Sequence, residues 1–165
     1  MNATKTLLIL DLDHTLIYGS FAEKESADLL FRYHEYLTVY ERPLARELIE
    51  LVTKNATIIV YTTALRRYAN SICLALNIDY FELLSRKNCK IVNGTARKLI
   101  KDEWLKNYDK IIIIDDSPNV WQNSEDSKIV FLVPSEFRGQ KDDFGLQNIM
   151  NELNFLIAQD EKNNY

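Results

Sequence analysis

Four short runs of uninterrupted apolar residues mark the chain: Leu7–Leu10, Thr57–Tyr61, Ile111–Ile114 and Ile129–Val133. Each is rich in Leu, Ile or Val and does not alternate with polar positions, the pattern of strands covered on both faces. Between them the spacing becomes helical. Leu44, Leu48, Ile49, Leu51 and Val52 form one stripe behind Pro43, which suits a first helical turn. Leu65, Tyr68, Ala69, Ile72 and Leu76 form a second stripe over 65–76. Phe144 to Ile157 supplies a third, followed by a polar tail over 160–165. Strand alternating with helix predicts right-handed crossovers and an α/β fold, a mostly parallel sheet with helices on both faces.

One segment breaks the rhythm. Residues 17–42 hold Tyr18, Phe21, Phe31, Tyr33, Tyr36 and Tyr40, with a strand-like run at Tyr36–Tyr40. They read as a small hairpin-like insertion after the first strand, most of the rings serving burial and a minority rimming a site. With four Gly, three Pro and no repeat, the 165 residues are expected to form a single domain.

The chemistry sits where the strands stop. The first run ends in Asp11 and Asp13, the second in Thr62 and Thr63, the third in Asp115 and Asp116. In a parallel sheet the carboxyl ends share one edge, and ligands bind in the crevice beyond it. Up to four carboxylates and a hydroxyl then surround one crevice, and they cannot all ionise there unless a cation balances them. A hard, oxygen-liganded ion, Mg²⁺ with waters completing an octahedron, fits best.

Composition narrows the classes. A 47% hydrophobic and 27% charged chain is a folded globular one, and a net charge of −4 argues against a general nucleic-acid or anionic-membrane binder. Cys73 and Cys89 form no CxxC pair, and His14 and His34 are isolated, so no zinc spacing exists. No apolar run approaches the ~18 residues of a membrane span, and the first strand starts within a few residues of Met1. A reduced, soluble, intracellular setting is expected.

Asp11-Leu-Asp13-His-Thr15-Leu, placed after an apolar strand, matches the DxDxT signature of the haloacid dehalogenase (HAD) superfamily of aspartate-nucleophile phosphatases. More narrowly, the chain resembles the FCP/SCP-like branch that contains the small phosphatases of the RNA polymerase II C-terminal domain. Val60-Tyr-Thr62-Thr63-Ala-Leu-Arg66-Arg67-Tyr68-Ala69, Arg42-Pro43 and Ile114-Asp115-Asp116-Ser117-Pro118 match that branch, and the resemblance runs from about residue 6 to about residue 157. It departs in Val120-Trp121, which looks more like larger relatives, and in a short segment between the first two motifs.

The resemblance implies a HAD-like Rossmannoid fold and a Mg²⁺-dependent phosphatase. Asp11 would be the nucleophile and Asp13 the general acid and base. A carboxylate oxygen of Asp11, the backbone carbonyl of Asp13, and Asp116 would hold Mg²⁺, with Asp115 supporting or sharing. Thr62 would bind a phosphoryl oxygen and Lys98 balance its charge, with Lys101 the competing lysine. Thr15, Thr63, Arg66 and Arg67 are candidates for substrate contact, with Thr15 alternatively orienting Asp13 or its loop, or capping the turn. Neither 17–42 nor the stretch between Thr62 and Lys98 has room for a large cap domain, so an open crevice suits phosphoserine or phosphothreonine of a protein. Alternatives are a small metabolite, a nucleic-acid end, or a catalytically silent interaction module. A signalling receiver domain has its acidic motifs in the opposite order.

Overall fold

The computed structural model describes residues 4–24 and 27–163. In chain order, β1 (Thr6–Leu10) is followed by β2 (Ile17–Ser20), β3 (Asp28–Tyr33), β4 (Leu37–Glu41), α1 (Ala45–Asn55), β5 (Thr57–Tyr61) and α2 (Arg66–Leu76). Then come β6 (Glu82–Leu84), β7 (Lys90–Val92), β8 (Thr95–Leu99), α3 (Asp102–Asn107), β9 (Lys110–Ile114), β10 (Trp121–Gln122), β11 (Ile129–Leu132) and α4 (Gly145–Asn163).

The four apolar runs become β1, β5, β9 and β11, and they pair in parallel with β6 in the order β11-β9-β1-β5-β6. Successive side chains of a strand point to opposite faces. Leu8, Leu10, Ile58, Val60, Ile112 and Ile114 therefore pack against α1, α2 and α4, whose Leu48, Val52, Ile72, Ile149 and Leu153 complete that layer. Leu7, Ile9, Ile59, Tyr61, Ile111 and Ile113 face the other way, onto Ile100, Trp104 and Trp121. Helices thus lie on both faces, but the second face is shared between short α3 and a three-stranded sheet, β10-β8-β7. The strands of that sheet are short, and β7 and β8 carry Lys90, Arg97 and Lys98, which hid them from the hydrophobic pattern.

The insertion is larger than a hairpin. β3 and β4 form the expected antiparallel pair, and β2 adds to the free edge of β4, giving the order β2-β4-β3. Residues 25 and 26 of this segment lie outside the described residues. Helix α1 starts at Ala45, not Pro43, because Leu44 takes a left-handed conformation (φ 68°) and the Ala45 N–H closes a turn on the Arg42 carbonyl. Helix α4 continues to Asn163, so most of the expected polar tail is helical, anchored by a Lys110–Asp160 ion pair; residues 164 and 165 lie outside the described residues. No helix among the described residues is long and apolar enough to cross a membrane.

Register places the site. Leu10 is level with Val60 on one side and Ile114 on the other. The chain segments that begin at Asp11, Thr62 and Asp115 therefore leave the sheet along one edge.

Candidate active site

Just past β1 the chain folds onto a single carbonyl: Leu12 O accepts the N–H groups of Thr15, Leu16 and Ile17 at 3.2, 2.8 and 3.1 Å. His14 sits in the left-handed region (φ 63°) within this turn. The turn brings the buried Thr15 hydroxyl to 3.0 Å from Asp11 Oδ2 and 3.1 Å from Asp116 Oδ1, and it accepts the Asp116 backbone N–H at 3.0 Å. Thr15 is fully enclosed and ties the first acidic motif to the last. Its partners are Asp11 and Asp116, not Asp13.

Lys98 reaches the cluster from β8, and the choice between the two lysines is geometric. Its buried ammonium lies 2.7 Å from Asp11 Oδ1 and 2.6 Å from Asp115 Oδ2. Lys101 instead pairs with Glu82 and Glu103 at 3.1 and 3.7 Å. The faces of Trp121 and Tyr61 flank the Lys98 ammonium at 5.4 and 5.9 Å, a desolvated cation–π setting. Burial works against the charge on Lys98, but Asp11 and Asp115 outweigh it and hold the ammonium above its ordinary pKa.

The four aspartates divide by environment. Asp11, Asp115 and Asp116 each place a carboxylate oxygen within 4.8 Å of the others. Asp115 has its lone pairs engaged: Oδ2 accepts Lys98 and the Trp121 indole N–H (2.8 Å), and Oδ1 accepts the Ser117 N–H (2.9 Å). Asp116 is only half-buried and meets the Thr15 and Ser117 hydroxyls. Asp13 stands apart, with the Tyr68 hydroxyl 3.3 Å from Oδ1.

Burial pushes the Asp11 carboxyl up to about 8, with Lys98 pulling it back and Asp115 and Asp13 adding to the rise. Burial also raises Asp13 and Asp116, opposed by His14 and Tyr68 for the first and by Ser117 and Thr15 for the second. Three carboxylates facing one ammonium leave two formal negative charges uncompensated in a mostly buried space. An all-oxygen set with that deficit fits a hard divalent cation, and Asp116 and Asp11 carry the oxygens least committed elsewhere.

Thr62 follows β5, almost fully buried, and its hydroxyl oxygen accepts the Ala64 N–H at 3.0 Å, leaving the hydroxyl proton to donate. Thr63 is half-buried beside it, with its carbonyl taken by Arg86. Arg66 spends a guanidinium N–H on the Leu83 carbonyl (2.6 Å), and Arg67 is exposed on α2; neither joins the carboxylate cluster. Tyr68 at Asp13, Trp121 at Asp115 and Arg42 at Asp143 are contacts that no local sequence signal marks. Tyr68 sat in an apolar stripe and Trp121 only marked a departure from the small enzymes. Arg42, fully buried, holds Asp143 at 2.6 Å and donates to the Thr15 carbonyl at 3.0 Å. A buried arginine needs such partners, but a partner 101 positions away leaves no local trace.

Fold and acidic cluster together describe a HAD-like α/β protein. The sequence matches the NLI interacting factor-like phosphatase family over residues 6–163, and the chain belongs to that family. It is 32% identical over 121 residues to Phosphatase PSR1 of Saccharomyces cerevisiae, covering 69% of this chain and 28% of that protein. An uncharacterized protein of Schizosaccharomyces pombe is 31% identical over 123 residues, covering 70% and 37%. The structure of Fcp1, an essential RNA polymerase II CTD phosphatase, superposes with a TM-score of 0.57 at 18% identity, covering 96% of this chain and 51% of that one. A fission yeast Fcp1 variant bound to beryllium fluoride gives 0.57 at 17%, covering 97% and 52%. The structural likeness is one of fold, and the chain spans well under two thirds of each relative's length.

Proposed function

We propose that this chain is a Mg²⁺-dependent phosphomonoester hydrolase that works through an aspartyl-phosphate on Asp11 and acts on phosphoserine or phosphothreonine of a protein. The observation that carries the reading is the setting of Asp11: one oxygen held by Lys98, the other by Thr15, with Asp116 on the same hydroxyl. A carboxylate fixed at both oxygens is aimed, which a nucleophile requires.

Asp11 attacks phosphorus, the ester P–O bond breaks, and the leaving oxygen takes a proton from Asp13. Burial raises the Asp13 carboxyl above its ordinary pKa, the direction a general acid needs, and Tyr68 orients it. Water then attacks the acyl phosphate, passes a proton to Asp13, and frees Asp11 and inorganic phosphate. Thr62 donates to a phosphoryl oxygen, and Lys98 supplies fixed positive charge that Asp115 and Trp121 hold in place. Asp11, Asp116 and the Asp13 carbonyl, with Asp115 in support, would hold Mg²⁺, which would supply charge to balance the phosphoryl group.

A protein substrate is supported by the absence of a large cap among the described residues. The segments that could have formed one are spent on β2-β4-β3 and on α2, β6, β7 and β8. The fold neighbour Fcp1 is a phosphatase of the RNA polymerase II CTD, itself a protein segment.

Hydrolysis of para-nitrophenyl phosphate tests the chemistry. Turnover that needs Mg²⁺, stops with chelator and vanishes in a folded Asp11→Asn variant is expected; an inert wild-type protein would leave the silent-module reading. Phosphopeptides assayed against phosphometabolites test the substrate, and preference for metabolites would overturn the protein assignment.

A further inference from the structure

Residues 85–98 carry Arg86, Lys87, Lys90, Arg97 and Lys98 and no acidic residue, in a chain whose net charge is −4. Lys98 is the buried site lysine. Arg86, Lys87 and Lys90 are exposed and Arg97 half-buried, and none of these four joins an ion pair among the described residues. In the antiparallel β7–β8 pair Lys90 stands directly opposite Arg97, an arrangement of like charges that costs stability. Alternation along β8 puts Lys98 inward and Arg97 on the outer face.

This surface adjoins the crevice. Arg86 Nε donates to the Thr63 carbonyl (2.8 Å), next to Thr62, and Arg97 Nη1 donates to the Asn119 carbonyl (2.7 Å), just past Asp116. One guanidinium is thereby fixed to each of two loops bordering the acidic cluster, with further N–H groups of each fork uncommitted.

We infer that the outer face of β7–β8, with Arg86, Lys87, Lys90 and Arg97, receives an acidic stretch of the substrate protein flanking its phosphorylated residue. The inference rests on the phosphatase reading. An acidic polypeptide fits better than single-stranded nucleic acid, because residues 85–98 contain no aromatic side chain on which bases could stack. The site would then select phosphoserine or phosphothreonine within acidic surroundings, and the unpaired positive charge would speed encounter.

The test compares two phosphoserine peptides, one flanked by glutamates and one by alanines, with para-nitrophenyl phosphate as the small substrate. The wild type is expected to show a roughly tenfold lower KM for the acidic peptide at low salt, an advantage screened out at high salt. Lys87→Glu combined with Lys90→Glu, both outside the catalytic machinery, should abolish that advantage and leave para-nitrophenyl phosphate turnover unchanged. Equal KM values for the two peptides, or a preference that survives the double reversal, would overturn the inference; so would stronger competition by an oligonucleotide than by the unphosphorylated acidic peptide. A wild type that hydrolyses para-nitrophenyl phosphate but treats the peptides alike sinks only the acidic-substrate surface, whereas one inert on every substrate sinks the phosphatase reading.

Discussion

Trp121 donates its indole N–H to the same Asp115 oxygen that receives the Lys98 ammonium, at 2.8 and 2.6 Å. Asp115 is thereby turned toward the lysine, and its other oxygen is taken by the Ser117 N–H. The adjacent carboxylate, Asp116, is left to the crevice. Two neighbouring aspartates thus divide their work by hydrogen bonding, not by position in the sequence.

Trp121→Phe keeps an aromatic face over Lys98 but removes the donor. It should cost about 1 kcal/mol of stability and lower kcat by roughly tenfold, which is ~1.4 kcal/mol of transition-state stabilisation. Denaturant titration and steady-state kinetics check this. An unchanged kcat would show that the indole N–H is not needed to aim Lys98.

Lys98→Met removes the ammonium that bridges Asp11 and Asp115 and leaves buried carboxylates facing each other. At pH 8 the expected loss is about 3–5 kcal/mol. At pH 5 it should be smaller, because Asp11, already raised to about 8 by burial, is protonated and no longer needs a counter-charge. Chemical unfolding of both proteins at the two pH values decides it; a pH-independent loss contradicts the charge argument.

A raised carboxyl pKa means that the folded state holds a proton the unfolded chain has released. The stability contributed by Asp11 is therefore greatest below its ordinary value of 3.8 and falls as pH rises toward about 8. Lys98 is raised as well, so its contribution persists until pH exceeds its ordinary 10.5 and does not shape this window. A cation bound at the cluster competes with the Asp11 proton. The rise in Tm on adding Mg²⁺ should thus be larger at pH 8 than at pH 5, and Asp116→Asn should diminish it. Equal shifts at both pH values would contradict this linkage.

Gly145 opens α4, where replacing Gly by Ala ordinarily stabilises a helix by about 1 kcal/mol. The opposite is expected here. A Cβ at Gly145 would lie 2.1 Å from Arg42 Nη2 and 2.8 Å from Ser135 Oγ. Gly145→Ala would displace the guanidinium that holds Asp143 and the Thr15 carbonyl, loosening the turn that follows Asp11. Thermal unfolding should show a lower Tm, and a raised Tm would deny Arg42 this part.

Burial on both faces wrote β1, β5, β9 and β11 into the sequence as continuous apolar runs, and the carboxyl-edge rule then located Asp11, Thr62 and Asp115. β7 and β8 left no such signature, because Lys90, Arg97 and Lys98 interrupt their apolar positions. Leu44 moved the start of α1 through a backbone conformation that its side chain does not announce. Thr15 was legible as a site residue, but its task was not: the bridge to Asp116 spans 101 positions and follows from the parallel pairing of β1 with β9. Trp121 and Arg42 likewise acquire meaning only through distant partners.

The aspartyl-phosphate is the claim on which the functional account turns. Borohydride reduction during turnover converts an acyl-phosphorylated aspartate to homoserine, which peptide mass spectrometry locates. Homoserine at residue 11, dependent on both Mg²⁺ and substrate, is the expected result. Homoserine at another aspartate, or full turnover with residue 11 unmodified, would contradict the assignment of Asp11 as nucleophile.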